Sequence, residues 1–333
     1  MNATTQALLA HLWFGLLGLM LVLYVVTDGF DIGAGLLSLV FRDGRDRDQI
    51  HGAIGHVWDA NETWLVVLGG AMFGAFPQAY ATLLHTLYVP IMTLIACLIL
   101  RGAAMEFRHV AADRRGWDLA FGAGSVGAAL AQGVILGYVI TGLQPGPFNG
   151  VFIALTALGV LSGYGLLGAT FLIAKASGHL ETAVRRAAAY CLLCTVVCAM
   201  GLTAATFTLP EIGHDRWRAP GVFTLLGILG VLAAGAVAAV VKGLFSGSMR
   251  MPFVASVALF VFSFTGLAVS LFPYIVPGTL TILDAASDTN TLVFMLCGVG
   301  FLMPVMIGYN LYQYYVFRGK VFAVDDVAAA SSH

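Results

Sequence analysis

Apolar residues run in blocks of twenty or more along almost the whole chain, broken by short clusters of glycine, proline and charge. As a helix, a block of that length crosses a hydrocarbon core of about 30 Å, at 1.5 Å per residue. The strict apolar/polar alternation that marks a membrane β-barrel is absent. The pattern therefore predicts an all-α polytopic membrane protein with nine spans, at approximately 8–41, 50–76, 79–107, 118–142, 149–175, 182–209, 219–243, 253–273 and 289–317. Eight spans is the alternative. The break at Phe76-Pro77-Gln78 is either a short turn between the second and third spans or a proline kink in one helix.

Charge favours nine. With nine spans, all of the 16 lysines and arginines except Arg216 and Arg218 fall in loops or helix ends on one side. Arg42, Arg45 and Arg47 follow the first span, and Arg101, Arg108, Arg114 and Arg115 the third. Lys175, Arg185 and Arg186 follow the fifth, Lys242 and Arg250 the seventh, and Arg318 and Lys320 the ninth. Arg216 and Arg218 sit among Glu211, His214 and Asp215 on the other side. Basic residues in short loops stay cytoplasmic, which predicts an external (periplasmic) N-terminus and a cytoplasmic C-terminus. The first twelve residues carry no lysine or arginine and the first apolar run is about thirty residues long, so a cleaved signal peptide is not expected.

Composition agrees. The 333 residues are 59% hydrophobic and 10% charged, with a mean hydropathy of +0.91, where a soluble domain carries roughly a quarter charged residues. The net charge of −1 points to no nucleic acid. Residues 1–333 read as one membrane unit without a soluble domain, linker or repeat. Gly70-x-x-x-Gly74, Gly133-x-x-x-Gly137 and Gly159-x-x-x-Gly163 have the spacing of flat helix faces. The stretch 273–290 reads as a defined turn rather than a helix. Of the five cysteines, Cys191, Cys194 and Cys198 share a face of the sixth span and read as small packing residues, and no zinc pattern is present.

Against this background, acids inside the spans stand out. Asp28 and Asp31 are spaced i,i+3 in the first span, and Asp59 and Glu62 are spaced likewise in the second. Each pair lies roughly 15–20 Å above the inner end of its helix. Consecutive antiparallel helices would bring the four into one layer, with no lysine or arginine at that depth to neutralise them. An ionised carboxylate costs at least about 2.5 kcal/mol there, so such groups turn to protein or water. Three readings stay open: a proton route, protonated hydrogen-bonding groups served by Thr27, Asn61 and Thr63, or a cation site. Glu106 is a candidate inner mouth of a route or a solvated interfacial charge, and His56 a relay one turn below Asp59.

Axial haem ligation is weighed for His11 and His85, which match in depth only loosely. His51, His109, His179, His214 and His333 read as terminal or interfacial. Trp13, Trp58 and Trp64 read as packing or interface anchors, and Pro90 and Pro304 as kinks.

The stretches "VTDGFDIGAGLL" and "HVWDANETWLVVLGGAMFGAFPQAYA" resemble the opening of the second, non-haem subunit of cytochrome bd-type quinol oxidases, cyanide-insensitive variants included. "SGYGLLGATFLIAKASGHLETAVRRAA" and "LFPYIVPGTLTILDAASDTNTL" resemble later motifs of the same family, so the likeness covers nearly the whole chain. It implies two four-helix bundles plus a peripheral helix, paired with a larger subunit I that holds haem b and haem d and oxidises quinol. It implies no cofactor or metal ligand and no catalytic centre in this chain, and no activity without its partner. It leaves room for a structural quinone and a small single-helix accessory subunit. In the family, the aspartate of the "WD" motif belongs to a proton route from the cytoplasm to the oxygen-reducing haem, a role that falls here on Asp59 beside Trp58. Ala60 replaces the commoner glycine.

The resulting expectation is a haem-free subunit of a ubiquinol:oxygen oxidoreductase in a bacterial cytoplasmic membrane. Asp59 and Glu62 are its proton carriers, Asp28 and Asp31 tune them, and His56 and Glu106 are entry groups. The alternatives are a proton-coupled secondary transporter, for which the second half of the chain offers no matching acids, and a purely structural assembly subunit.

Overall fold

The computed structural model describes residues 3–41, 43–209 and 216–321. Arg42, Glu211, His214, Asp215 and His333 lie outside them. Helices dominate: α1 (Ala3–Val40), α2 (Gly44–Ile54), α3 (Trp58–Ala75), α4 (Pro77–Thr86), α5 (Tyr88–Val110), α6 (Arg115–Ile140), α7 (Pro147–Lys175), α8 (His179–Thr206), α9 (Pro220–Phe245) and α10 (Met251–Leu271). The hairpin β1 (Tyr274–Val276) and β2 (Leu280–Thr281), the short α11 (Ile282–Ala285) and α12 (Thr289–Val316) complete the order. Among the described residues, eight helices are long and apolar enough to cross a membrane, and nine if the bent α3–α4 pair counts as one span.

The boundaries differ from the expected ones in the first third. The span expected at 50–76 is two helices. The segment GRDRDQIHGAI forms α2 alone, because it is too polar for lipid and is started by Asp43, whose side chain accepts from the Arg45 amide at 2.9 Å. The span expected at 79–107 is also two. Proline at the first position of α4 opens a new helix, bent by 119° from α3, and α5 then starts at Tyr88. Pro90 is thus in the first turn of α5, where its missing N–H disturbs nothing, and it is not a kink. Pro304 does lie inside α12. The stretch 273–290 contains a hairpin and the one-turn α11, so it is not free of helix.

Helix α1 is the central element, packing against α3, α6, α7, α10 and α12. Its second half joins a core shared with α2 and α5 through α10. Its first half joins a core with α3, α4, α12 and the 274–285 segment. Glycine makes the tightest crossing possible. A Cβ on Gly33 of α1 would lie 2.8 Å from the Gly168 amide nitrogen of α7, and one on Gly168 would lie 2.5 Å from the Ala34 nitrogen. The two backbones touch, which only residues without a side chain allow. The expected flat face at Gly133 and Gly137 packs on α7, where a Cβ on Gly137 would stand 2.8 Å from Ile153 Cα.

Candidate functional site

The α1–α7 crossing holds the DGFD stretch in the middle of the protein. Asp28 and Asp31 are both fully buried. The layer also contains a cation, contrary to the expectation that no lysine or arginine lies at that depth. Arg101 projects from the middle of α5, 1% exposed, and its Nη2 lies 2.6 Å from Asp28 Oδ1. The same nitrogen donates to Glu62 Oε2 of α3 at 3.1 Å. Because α5 begins at Tyr88 and runs on to Val110, Arg101 is well inside the helix rather than in the loop after it. Three helices, α1, α3 and α5, are thereby tied by one guanidinium. Arginine suits this post, since its planar fork serves two carboxylates and it does not lose its charge.

Asp31 is served differently. Its Oδ2 accepts from Asn61 Nδ2 at 2.7 Å, and Asn61 Oδ1 accepts from the Tyr314 hydroxyl of α12 at 2.6 Å. Asn61 Nδ2 also reaches the Thr27 carbonyl at 3.4 Å. One turn before Asp28, the Tyr24 hydroxyl accepts from Gln132 Nε2 at 2.8 Å, and Gln132 Oε1 accepts from the Tyr164 hydroxyl at 2.5 Å. A polar chain therefore crosses the interior from α3 through α5 and α1 to α6 and α7. Asp28 Oδ2, Asp31 Oδ1, Arg101 Nε and Arg101 Nη1 are buried and have no hydrogen-bond partner among the described residues. Buried polar atoms of this kind are the usual ligands of ordered water.

The other expected site residues lie apart. Asp59 is exposed on the face of α3, one turn from Glu62, so three acids converge rather than four. The break between α2 and α3 is the reason: Asp59 is the second residue of α3 rather than a residue deep in a longer helix. His56 is exposed, its ring stacked on Phe317 at 4.5 Å and its carbonyl accepting from Gln313, so it packs at a helix end and does not extend the cluster. Glu106 is exposed on α5. Thr63 bonds its own helix, donating to the Ala60 carbonyl at 2.5 Å, and does not reach the acids. Trp64 is buried in the core that α3 shares with the first half of α1, and Trp13 donates to the Leu292 carbonyl at 3.0 Å.

A second polar cluster closes the basic end. Arg108 Nε lies 2.5 Å from Asp118 Oδ1, and Arg108 Nη2 lies 2.7 Å from Asp48 Oδ1. Arg47 Nη1 reaches Asp118 Oδ2 at 3.4 Å, and its Nε donates to the Phe41 carbonyl at 3.0 Å. His51, expected at an interface, is fully buried here. Its Nε2 lies 3.4 Å from Asp118 Oδ1 and its Nδ1 3.2 Å from Met105 Sδ. Burial pushes this imidazole below its ordinary value, helped by the positive charge of Arg108 and opposed by Asp118.

His51 is the one fully buried histidine among the described residues, and both its nitrogens face protein groups. His11 Nδ1 faces the Ala7 carbonyl at 2.6 Å, and His85 is exposed at the end of α4. These side chains do not fit a haem held by two buried imidazoles. No group of three or more histidine, cysteine or acidic side chains among the described residues is placed to hold a metal ion.

Sequence reasoning found Asp28, Asp31, Glu62 and Asn61 because charge and amide in an apolar run are conspicuous. It missed Arg101, Tyr24, Gln132, Tyr164, Tyr314 and the Asp118 cluster. Arg101 did carry a signal: Leu98-Ile99-Leu100 precedes it and Ala103-Ala104-Met105 follows.

The family model described as cytochrome bd terminal oxidase subunit II matches residues 9–317. Among curated proteins, the chain is 27% identical to cytochrome bd-I ubiquinol oxidase subunit 2 of Escherichia coli, over 95% of this chain and 96% of that one. It is also 27% identical to cytochrome bd ubiquinol oxidase subunit 2 of Bacillus subtilis, over 95% and 98%. Its fold is similar to a chain of the bd oxidase structure from Geobacillus thermodenitrificans, with a TM-score of 0.76 and 19% identity, covering 92% of this chain and 98% of that one.

Proposed function

The chain belongs to the cytochrome bd terminal oxidase subunit II family, and from that premise we propose that it stabilises a haem-bearing subunit I and supplies protons to that subunit's oxygen site. The complex is a ubiquinol:oxygen oxidoreductase in this reading. Subunit I holds haem b and haem d and oxidises the quinol, and this chain is inactive alone. Its periplasmic N-terminus and cytoplasmic C-terminus follow from the one-sided basic loops.

The observation that supports the proton reading best is the Arg101 cluster. Two carboxyl groups, Asp28 and Glu62, share one guanidinium, and the third, Asp31, is buried on the same helix face as Asp28 with an amide rather than a cation as partner, so the cluster can hold a proton. Roles divide by partner. Asp28, 2.6 Å from Arg101 and fully buried, acts as its counterion. Asp31 has only neutral hydrogen-bond partners and a buried second oxygen with none, so it is suited to exchange a proton with internal water. Glu62 stands between the buried cluster and the surface, its side chain 25% exposed. Asp59, on the same face one turn away, presents the outermost carboxyl to the partner. His56 and Glu106 belong to this reading only as groups at the basic end from which protons enter.

The test uses the assembled oxidase. Asp59→Asn and Glu62→Gln should each leave the haem absorption bands intact and slow quinol-driven oxygen consumption by roughly tenfold or more, within the range of a positioned proton carrier. Wild-type turnover in both variants would overturn the proton role. A purely structural role is favoured for Asp28 alone, because it is fully buried and sits directly against the Arg101 charge. Family membership displaces the secondary-transporter reading.

A further inference from the structure

The α9–α10 hairpin carries an apolar groove that the oxidase function does not use. It has a volume of about 510 Å³, and its walls include Gly235 and Ala239 of α9 and Val254, Ala255 and Phe262 of α10, with Arg250 lining it at the basic end. Small side chains, Gly235, Ala236, Ala239, Ala255 and Ala258, leave the space open between the two helices. A Cβ on Gly235 would meet nothing within 4 Å. From Met251 to Phe262 the groove follows α10 for about 16 Å at 1.5 Å per residue, which is half of a hydrocarbon core of about 30 Å. That is the depth of one lipid leaflet.

The mouth is cationic. Arg250 is exposed and forms no hydrogen bond or ion pair through its side chain among the described residues, and the same holds for Lys242 in the last turn of α9. Gly243, next to Lys242, packs so closely on Pro252 that a Cβ there would stand 2.9 Å from Pro252 Cδ, which sets the two cations at one end of the hairpin. The carboxylate of Glu181 is already engaged by Arg185 and Lys320, each at 3.1 Å. Nothing described at this end neutralises Arg250.

We propose that this groove binds an anionic phospholipid, with its phosphodiester on Arg250 and one acyl chain laid between α9 and α10. A guanidinium takes a phosphate through two parallel hydrogen bonds, and basic pockets between membrane helices select anionic headgroups. Two uncompensated cations favour a headgroup with net negative charge over a zwitterion. A smaller groove of about 390 Å³ at the opposite end differs in this respect. Its Arg216 lies over the Phe272 ring at 5.2 Å and donates to the Val269 carbonyl at 3.4 Å, so that cation is engaged.

The experiment takes the whole oxidase complex, stripped of lipid in detergent, and titrates it with palmitoyl-oleoyl phosphatidylglycerol, counting bound lipid by native mass spectrometry. Arg250→Gln should weaken binding roughly fivefold. Gly235→Leu, which fills the groove at an open position and leaves the charge, should weaken it as well. Wild-type complex should bind phosphatidylcholine no better than Arg250→Gln binds phosphatidylglycerol. Haem absorption and thermal unfolding confirm that both variants assemble. Equal phosphatidylglycerol binding by wild type and both variants would overturn the proposal. So would equal affinity of wild type for the two lipids, or no bound lipid at all, the result expected if another polypeptide covers the groove.

Discussion

A single guanidinium organises the interior. Arg101 is 1% exposed and holds Asp28 and Glu62 together, and breaking a buried pair from one side strands the other charge at a cost of about 3–5 kcal/mol. Arg101→Met should therefore lower the thermal midpoint of the complex by several degrees and reduce assembled haem. Adding Asp28→Asn should restore part of the loss, because the stranded carboxylate is then gone. An Arg101→Met complex as stable as wild type would show that the pair carries no weight. The carboxyl residues of this cluster were legible in the sequence, since an acid in an apolar run has no bland surface reading. Arg101 was not, because it precedes Arg108, Arg114 and Arg115 and shares their sign, so the one-sided basic loops absorbed it. Asp59 shows the converse: its type and motif were legible, but its exposure depended on where α3 begins.

At the scale of elements, the long apolar runs became helices close to their expected ends from α6 onward. The exceptions are informative. A hydropathy window smooths over Gly55-His56-Val57 and over Leu87, where one run turns into two helices. The turns are made by local chemistry: a polar segment with its own cap in α2, and a proline at the first position of α4. The α1–α7 crossing is the tightest packing feature, and its glycines tolerate no side chain. Gly168→Val should destabilise the complex by about 3 kcal/mol, at the upper end of ordinary overpacking, because the clash is with backbone. Gly227→Val, at an α9 position where a Cβ meets nothing within 4 Å, is the control, and its midpoint should stay close to wild type. Equal midpoints for the two variants would refute the crossing as a constraint.

Across the whole molecule, two polar clusters join helices that are distant in sequence. The Asp118 cluster ties the end of α1, α2, α5 and α6 at the basic end, and the Arg101 cluster ties α1, α3 and α5 inside. The first should make stability depend on pH. His51 is buried facing Asp118, Arg108, His109 and Met105, and its imidazole is held below its ordinary value of about 6.5. The unfolded chain therefore binds more protons just below that value, and stability is full above about 6.5 and is lost as pH falls through the folded-state value. Thermal midpoints of the complex between pH 7.5 and 5.5 should fall with pH, and His51→Gln should flatten the slope. An unchanged slope would remove His51 from the account. The sequence by itself determined that the chain is a multi-helix membrane protein, where its basic residues cluster and which acids are anomalous, because transfer of each residue into lipid is a local quantity that adds along the chain. Only the tertiary structure decided which helix faces meet, and hence that Arg101 answers Asp28 and Glu62, that Tyr314 closes on Asn61 and that Asp59 faces outward. In lipid both the buried and the exposed face of a helix are apolar, so periodicity carries little of the helix rotation that those contacts require.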